Sequence, residues 1–350
     1  MKWLVFWLVF TATAGSRIHD PSEVRLKNVR QLTFGGVNGN VVFSPDGRFL
    51  VYSHKDLPDE ASNQLCKQIY LLDLEDPTKR PQLLSNRFGT YESAVFLRNN
   101  VDLVVVSDVH NYGELNNKIW KETCFLLEHS NASKTRNFDF HQLSVGRDKV
   151  PYRLTWNLPE ESSVEVAAVN DQLVFVQVDG SGRRSLYRMM ANATEKGKLI
   201  DLFDFVATPS FSSDGSEIVV YGRLEADSKN QLFTLTLNNP EPQELPIHNL
   251  NVSSPSFHSK ENVKVLFTGT SNQTANVFVF NRETETVKQV TFLGNNSVGI
   301  LSPDATKFVW SSSRNSTLDG QSNLFIADFI EYPPSEQTTL QKILNSLVSC

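Results

Sequence analysis

Val41-Val-Phe-Ser-Pro-Asp-Gly-Arg-Phe-Leu-Val-Tyr-Ser53 decides the fold of this 350-residue chain. Two apolar runs of strand length flank Ser44-Pro45-Asp46-Gly47, and a third, Gln68-Ile-Tyr-Leu-Leu-Asp-Leu74, follows them. Pro presets φ, Asp can bond its own backbone and Gly tolerates positive φ, so the linker is a tight turn and the unit an antiparallel meander. The unit returns as Pro209 to Tyr221 with Gln231 to Leu237, and as Gly299 to Trp310 with Asn323 to Asp328. Weaker copies are Ser93 to Arg98 with Leu103 to Ser107, and Pro255 to Ser259 with Val265 to Thr268. Phe211, Phe257 and Leu301 stand 46 and 44 residues apart, the spacing of four-stranded propeller blades.

Working outward, one strand is surplus at the start and one is missing at the end. Val29 to Phe34 has no hairpin of its own, and its near copy Val287 to Phe292 is the outer strand before the last repeat. The expected fold is therefore all-β, a six-bladed β-propeller over residues 25–329, closed by an N-terminal outer strand paired with Asn323 to Asp328. Blade two is expected to take its third strand from Cys124 to Glu128, with an extra strand at Phe138 to Leu143 and room there for a seventh blade. Blade three turns at Asn170-Asp171. Beyond the ring, residues 330–350 form a tail in which Ser335 caps a short C-terminal amphipathic helix bearing Leu340, Ile343, Leu344, Leu347 and Val348.

Composition sets the outer limits. Hydrophobic residues make up 40% and charged residues 21%, enough to bury a core, and the net charge of −6 without a basic block argues against nucleic acid or an anionic membrane as partner. Residues 1–14 read as a signal peptide: Lys2, the apolar run Trp3 to Phe10, and Ala12-Thr13-Ala14 as a small-residue cleavage site. No later run approaches a membrane span. Six N-x-S/T sequons, at Asn131, Asn192, Asn251, Asn272, Asn295 and Asn315, point the same way, to a eukaryotic, secreted, extracellular glycoprotein. Three cysteines are too few for a disulfide scaffold. Cys66 and Cys124 sit at neighbouring third strands, where an inter-blade bridge fits; Cys350 is then odd and available to join two chains, or it pairs with one of the others.

The Ser-Pro-Asp-Gly turn, the segments Gln31-Leu-Thr-Phe34 and Gln289-Val-Thr-Phe292, and the strand Ile69-Tyr-Leu-Leu-Asp-Leu74 resemble the WD40-like (PD40) repeat of TolB-like propellers. The last repeat has Ala305 where the pattern has Gly, the middle one keeps Ser213-Asp-Gly215 without the Pro, and the other blades lack the turn. The resemblance implies six blades and a family whose usual activity is binding protein or peptide partners. Related repeats form the non-catalytic propeller of prolyl oligopeptidase-like enzymes, but no G-x-S-x-G elbow follows here.

For chemistry the sequence offers little. His54, Asp102, Asp108 and His110 are the candidates for a zinc or catalytic cluster, while Glu92, Asp204 and His248 are scattered among loops leading into inner strands. No cofactor is implied, and a non-catalytic role is the leading expectation. Arg87, Phe88, Tyr91 and Glu92 form one aromatic and charged cluster suited to an extracellular protein or peptide, and Tyr112 and Trp120 belong to another. The alternatives are a secreted metal-dependent hydrolase or lactonase-like propeller, and a disulfide-linked structural or matrix component that dimerises through Cys350 or the terminal helix.

Overall fold

The computed structural model describes residues 18–57, 66–76, 78–87, 89–109, 138–146, 150–155, 161–179 and 181–333. They form six four-stranded antiparallel sheets. Blade one is β2 (Val37–Phe43), β3 (Phe49–Lys55), β4 (Gln68–Asp73) and β5 (Gln82–Leu83), and blade two is β6 (Tyr91–Phe96), β7 (Asp102–Ser107), β8 (Asp139–Ser144) and β9 (Tyr152–Arg153). Blade three is β10 (Glu161–Val169), β11 (Gln172–Val178), β12 (Arg184–Met190) and β13 (Gly197–Ile200), and blade four is β14 (Phe205–Phe211), β15 (Glu217–Arg223), β16 (Gln231–Thr236) and β17 (Gln243–Glu244). Blade five is β18 (Asn251–Phe257), β19 (Lys264–Ser271), β20 (Thr274–Asn281) and β21 (Thr286–Gln289). Blade six takes β22 (Asn296–Leu301), β23 (Lys307–Ser312) and β24 (Asn323–Phe329) from the end of the chain, and β1 (Leu26–Gln31) from its start.

The core lies between blades rather than within one. Six apolar clusters each join two neighbouring sheets; Val51, Ile69 and Leu71 of blade one, for example, meet Ala94, Leu103 and Val105 of blade two. The sixth sets Val41, Phe43, Leu50 and Tyr52 of blade one against Val309, Leu324 and Ile326 of blade six. Because a blade is buried on both faces, its second strand reads as a continuous apolar run such as Leu103-Val-Val-Val106, not as an alternating one.

Two local devices repeat. In the tight turns, Ser44, Ser212 and Ser302 hydroxyls donate to the carboxylates of Asp46, Asp214 and Asp304 at 2.5–2.7 Å. Each hydroxyl also accepts the backbone N–H that starts the second strand, at 2.9 Å in all three. That is why Ser and Asp recur two residues apart. After the outer strands, the hydroxyls of Ser85, Thr155, Thr291 and Thr33 accept a third-strand N–H from Ile69, Phe140, Val277 and Leu324, extending the ladder with a side chain. Blade four has Pro246 at this position, just after the Leu245 N–H that bonds the Leu232 carbonyl, and the Gln231 amide oxygen is buried without a partner among the described residues.

Ala305 takes φ +57° where Gly47 and Gly215 take +75° and +73°. The left-handed region sets a Cβ against the backbone at a cost of about 1–2 kcal/mol. Ala305→Gly is therefore expected to stabilise the protein by about 0.5–1 kcal/mol, read as a rise in the urea midpoint at unchanged slope.

Several expectations are corrected. None of the six sheets is closed; each is open and four-stranded, and continuity round the ring comes from inter-blade clusters. The N-terminal strand is Leu26–Gln31, not Val29 to Phe34, because Leu26 fills the last blade's core while Phe34 is 79% exposed. Blade two takes its third strand from Asp139–Ser144, whose Phe140, His141 and Leu143 are buried, and the segment read as an extra strand is thus an ordinary one. Cys124 to Glu128 lies outside the described residues, as does the whole of 334–350. The described elements are all strands, and the segment read as a C-terminal helix lies outside the described residues. Of the cysteines only Cys66 is described; it is disulfide-bonded, with its partner outside the described residues. No bridge forms between two described residues, so neither the Cys66–Cys124 pairing nor a dimer through Cys350 is carried further. Among the described residues no helix is long and apolar enough to cross a membrane.

Candidate functional site: the axial cavity

The inner strands β2, β6, β10, β14, β18 and β22 run side by side round the axis, each beginning at what is here termed the upper face and ending at the lower. Every one of them is bulged in its pairing with the second strand: the register shifts between Gly39 and Val42, Tyr91 and Ser93, Ser162 and Val166, Ala207 and Ser210, Ser253 and Ser256, and Ser297 and Ile300. In blades one, four, five and six the bulge holds a non-glycine residue left-handed: Asn40 (φ +45°), Thr208 (+46°), Ser254 (+46°) and Val298 (+53°). For β-branched Thr and Val this is an unfavourable conformation, and strained backbone of this kind collects where a fold presents side chains for use. All four residues line one axial cavity. These lining residues carry no mark in the sequence, because the positions held left-handed are not glycines.

The cavity has a volume of about 510 Å³ and contributions from all six inner strands. Its wall is built from Val42, Phe96, Phe211, Phe257, Ile300 and Leu301 with small residues such as Ser93, Ser210, Ser256 and Gly299 between them. Gly299 is required by the seam between blades five and six: a Cβ there would lie 2.6 Å from Val277 and 2.8 Å from the Phe308 ring. At the lower mouth stand Ser44, Arg98, Asn170, Ser213 and His258. Arg98 is exposed, and no carboxylate occurs among the residues lining the cavity.

His258 takes the place that serine has in the turns of blades one, four and six. Its Nδ1 faces the backbone N–H groups of Lys260 and Glu261 at 3.3 Å and so accepts, which leaves Nε2 to donate to Glu331 at 3.0 Å. Glu331 also binds Lys264, whose ammonium lies 5.1 Å from the Tyr332 ring centre. Burial pushes the Glu331 carboxyl up, but the bonds and charges of His258 and Lys264 outweigh it and hold the group down at about 2. A carboxylate depressed in the folded state contributes stability that is complete above its ordinary value near 4.5 and is lost as pH falls toward 2. Glu331→Gln is expected to cost about 1–2 kcal/mol at pH 7. Melting curves of the two proteins should converge as pH falls through 4 to 2; a gap that persists there would show that the carboxylate charge is not what holds the segment.

The candidate residues do not assemble into a second site. Asp102 opens β7 at the lower face, bonding Asn99 and Ser144, whereas Asp108 follows β7 at the upper face and accepts the Thr90 N–H at 2.6 Å. Six strand residues put them roughly 20 Å apart. His54 lies between Asn38 (2.9 Å) and the buried Asp56 (3.0 Å) in blade one. His110, Phe88, Tyr112 and Trp120 lie outside the described residues. Tyr91 is fully buried, with its hydroxyl donating to Asn86 at 2.9 Å and its phenol pushed up by burial. Glu92 is partly buried against Lys67, and Arg87 is exposed at φ +69°. Asp204 pairs with Arg223 at 2.7 Å, and His248 is exposed. Among the described residues no group of three or more His, Cys, Asp or Glu could hold a metal ion. Asn251, Asn272, Asn295 and Asn315 are exposed on the upper face of blades five and six, Asn192 is exposed on the lower rim, and Asn131 lies outside the described residues.

No protein-family model matches the chain, and no curated protein matches it either. Many solved structures do, at low identity. A gluconolactonase from Xanthomonas campestris has 10% identity and a TM-score of 0.58, covering 88% of this chain and 92% of that one. A TolB from Agrobacterium tumefaciens has 13% identity and a TM-score of 0.56, covering 84% and 91%. An oligogalacturonate lyase from Vibrio parahaemolyticus has 12% identity and a TM-score of 0.55, covering 87% and 81%. With no family model matching and the Ser-Pro-Asp turn confined to a few blades, the WD40-like (PD40) label is withdrawn. What stands is a six-bladed β-propeller fold related at low identity to TolB and to propeller enzymes.

Proposed function

We propose that this chain is a secreted, non-catalytic binding propeller that takes an apolar segment of an extracellular protein or peptide into its axial cavity through the lower mouth. The observation that carries this reading is the cavity itself: about 510 Å³, apolar-walled, ringed by four strained non-glycine residues and bordered by one exposed guanidinium with no carboxylate in its lining. That volume falls in the range of specific ligand sites. The wall selects apolar side chains, and Arg98 favours a segment carrying a carboxylate next to them.

The test uses a fluorescein-labelled panel of hexapeptides graded in apolar content and charge, with anisotropy as readout. Apolar acidic members should bind and apolar basic ones should not. Val42→Trp, which places an indole in the lumen, should weaken binding at least about tenfold, the effect of roughly 1.4 kcal/mol, with little change in melting temperature. Arg98→Glu should reverse the charge preference. Equal binding by all peptides, or tight binding that survives Val42→Trp, would sink the proposal.

A second reading rests on the scaffold. The same fold carries catalysis in proteins described as a gluconolactonase and an oligogalacturonate lyase, so a secreted metal-dependent hydrolase or lactonase-like propeller is the competing assignment. Turnover of a sugar lactone or an oligogalacturonate by purified protein with added divalent metal would favour it over pure binding.

A further inference from the structure

Two phenylalanine side chains stand in solvent on the upper face of blades five and six: Phe34, 79% exposed, and Phe292, 39% exposed. They occupy equivalent places in Gln31-Leu-Thr-Phe34 and Gln289-Val-Thr-Phe292. In each segment the glutamine amide donates to the threonine carbonyl at 2.8 Å, and the threonine hydroxyl accepts a third-strand N–H. The backbone is thus fixed while the ring is left outside. A phenyl ring held in water is unfavourable unless something covers it.

Each of the two segments has an exposed sequon asparagine near it. Asn295 follows Phe292 by three residues. Its Oδ1 accepts the Ala275 N–H at 3.2 Å, and its backbone is tied to Ser313 in both directions, at 3.0 and 2.9 Å. Asn315 donates its Nδ2 to the Gln31 side chain at 2.7 Å, which sets it on the segment that ends in Phe34. The second pairing does not follow from the sequons alone; Asn315 and Phe34 are 281 residues apart in the chain (315 minus 34).

We propose that Asn295 and Asn315 carry N-linked glycans and that Phe292 and Phe34 are the platforms on which their core sugars rest. A pyranose ring presents a face of C–H groups, and an aromatic ring presents a face of partial negative charge, so contact removes both from water with favourable electrostatics. The upper face of blades five and six is then sugar-covered, and a protein partner meets the ring at blades one to three or at the lower mouth. This proposal rests on the secretory route given above but not on occupancy of the cavity.

The experiment takes full-length protein secreted from a eukaryotic cell line and maps its glycopeptides by mass spectrometry. The glycans are trimmed to one N-acetylglucosamine, then removed completely, and melting temperatures are compared for wild type and Phe292→Ala. Both asparagines should be occupied. Complete removal should lower the melting temperature of the wild type by about 2–4 °C relative to the single-sugar form, and that of Phe292→Ala by less than about 1 °C. Empty sites, or the same fall in both proteins, would overturn it. Because no ligand enters these readouts, failure of peptide binding leaves this proposal standing, and absence of glycans leaves the cavity reading standing.

Discussion

Glu23→Ala is expected to destabilise the protein by about 3–5 kcal/mol, a fall in melting temperature on the order of 5–15 °C. Glu23 and Arg314 are both fully buried and meet at 2.6 and 3.1 Å through the two arms of the guanidinium. The remaining donors of Arg314 go to the Ile18 carbonyl (2.9 Å), Asn296 Oδ1 (3.1 Å) and Ser312 Oγ (3.2 Å), and Glu23 in turn accepts the Phe292 and Asp20 N–H groups at 3.0 and 3.2 Å. The pair therefore fastens the segment before β1 to the upper end of blade six. Its net worth against a hydrophobic replacement is small, because desolvating two ions consumes most of their attraction. Removing one partner is different: a full charge stays buried with nothing to neutralise it. Arg314→Ala should cost as much as Glu23→Ala, while the double replacement Glu23→Leu with Arg314→Met should recover most of the loss. Urea midpoints of the four proteins decide the matter. A single-variant cost below about 1 kcal/mol would mean that water reaches the pair.

The pair also shows what the sequence left unread. Repeats in Val, Phe and Leu with Ser-x-Asp turns mark blades one, four and six, because those residues act on neighbours two to five positions away. Blade two was misassigned for the opposite reason. Asp139-Phe-His-Gln-Leu-Ser144 follows a long connection, and its polar His141 is buried and bonded locally to the Asp139 carbonyl at 3.1 Å, a solution that an apolar-run search does not see. The lining of the axial cavity was unreadable because its left-handed positions are Asn40, Thr208, Ser254 and Val298 rather than glycine, and a residue held left-handed by its neighbours leaves no mark in composition. Tyr91 read as a contact residue on the strength of Arg87 and Glu92 beside it, but strand periodicity turns it into the core between blades one and two. Pairings such as Glu23 with Arg314 or Asn315 with Gln31 join the two ends of the chain, so only the arrangement of blades round the axis reveals them.

Trp310→Ala is expected to be as severe, about 3–5 kcal/mol, since the indole is completely buried between blades five and six. Phe308 and Phe325 stack on it at centroid distances of 5.1 and 5.8 Å, and the Arg314 guanidinium lies 4.9 Å from its ring centre. The loss thus has two parts, the cavity left in the seam and the departure of an electron-rich face from a buried cation, the latter worth up to about 2 kcal/mol when desolvated. They can be separated. The indole N–H of Trp310 is buried without an acceptor among the described residues, an arrangement that costs about 1–3 kcal/mol. Trp310→Phe removes that donor and keeps a six-membered π face under Arg314, at the expense of a smaller ring, so its stability should lie within about 1 kcal/mol of wild type. In a double-mutant cycle, Trp310→Ala and Arg314→Ala should fall short of additivity by about 0.5–3 kcal/mol, because the cation and the ring lose each other only once. Strict additivity would assign the whole cost of Trp310→Ala to the cavity. Blade six would then be held by shape alone, and the Glu23–Arg314 pair would be an independent clasp on the same blade.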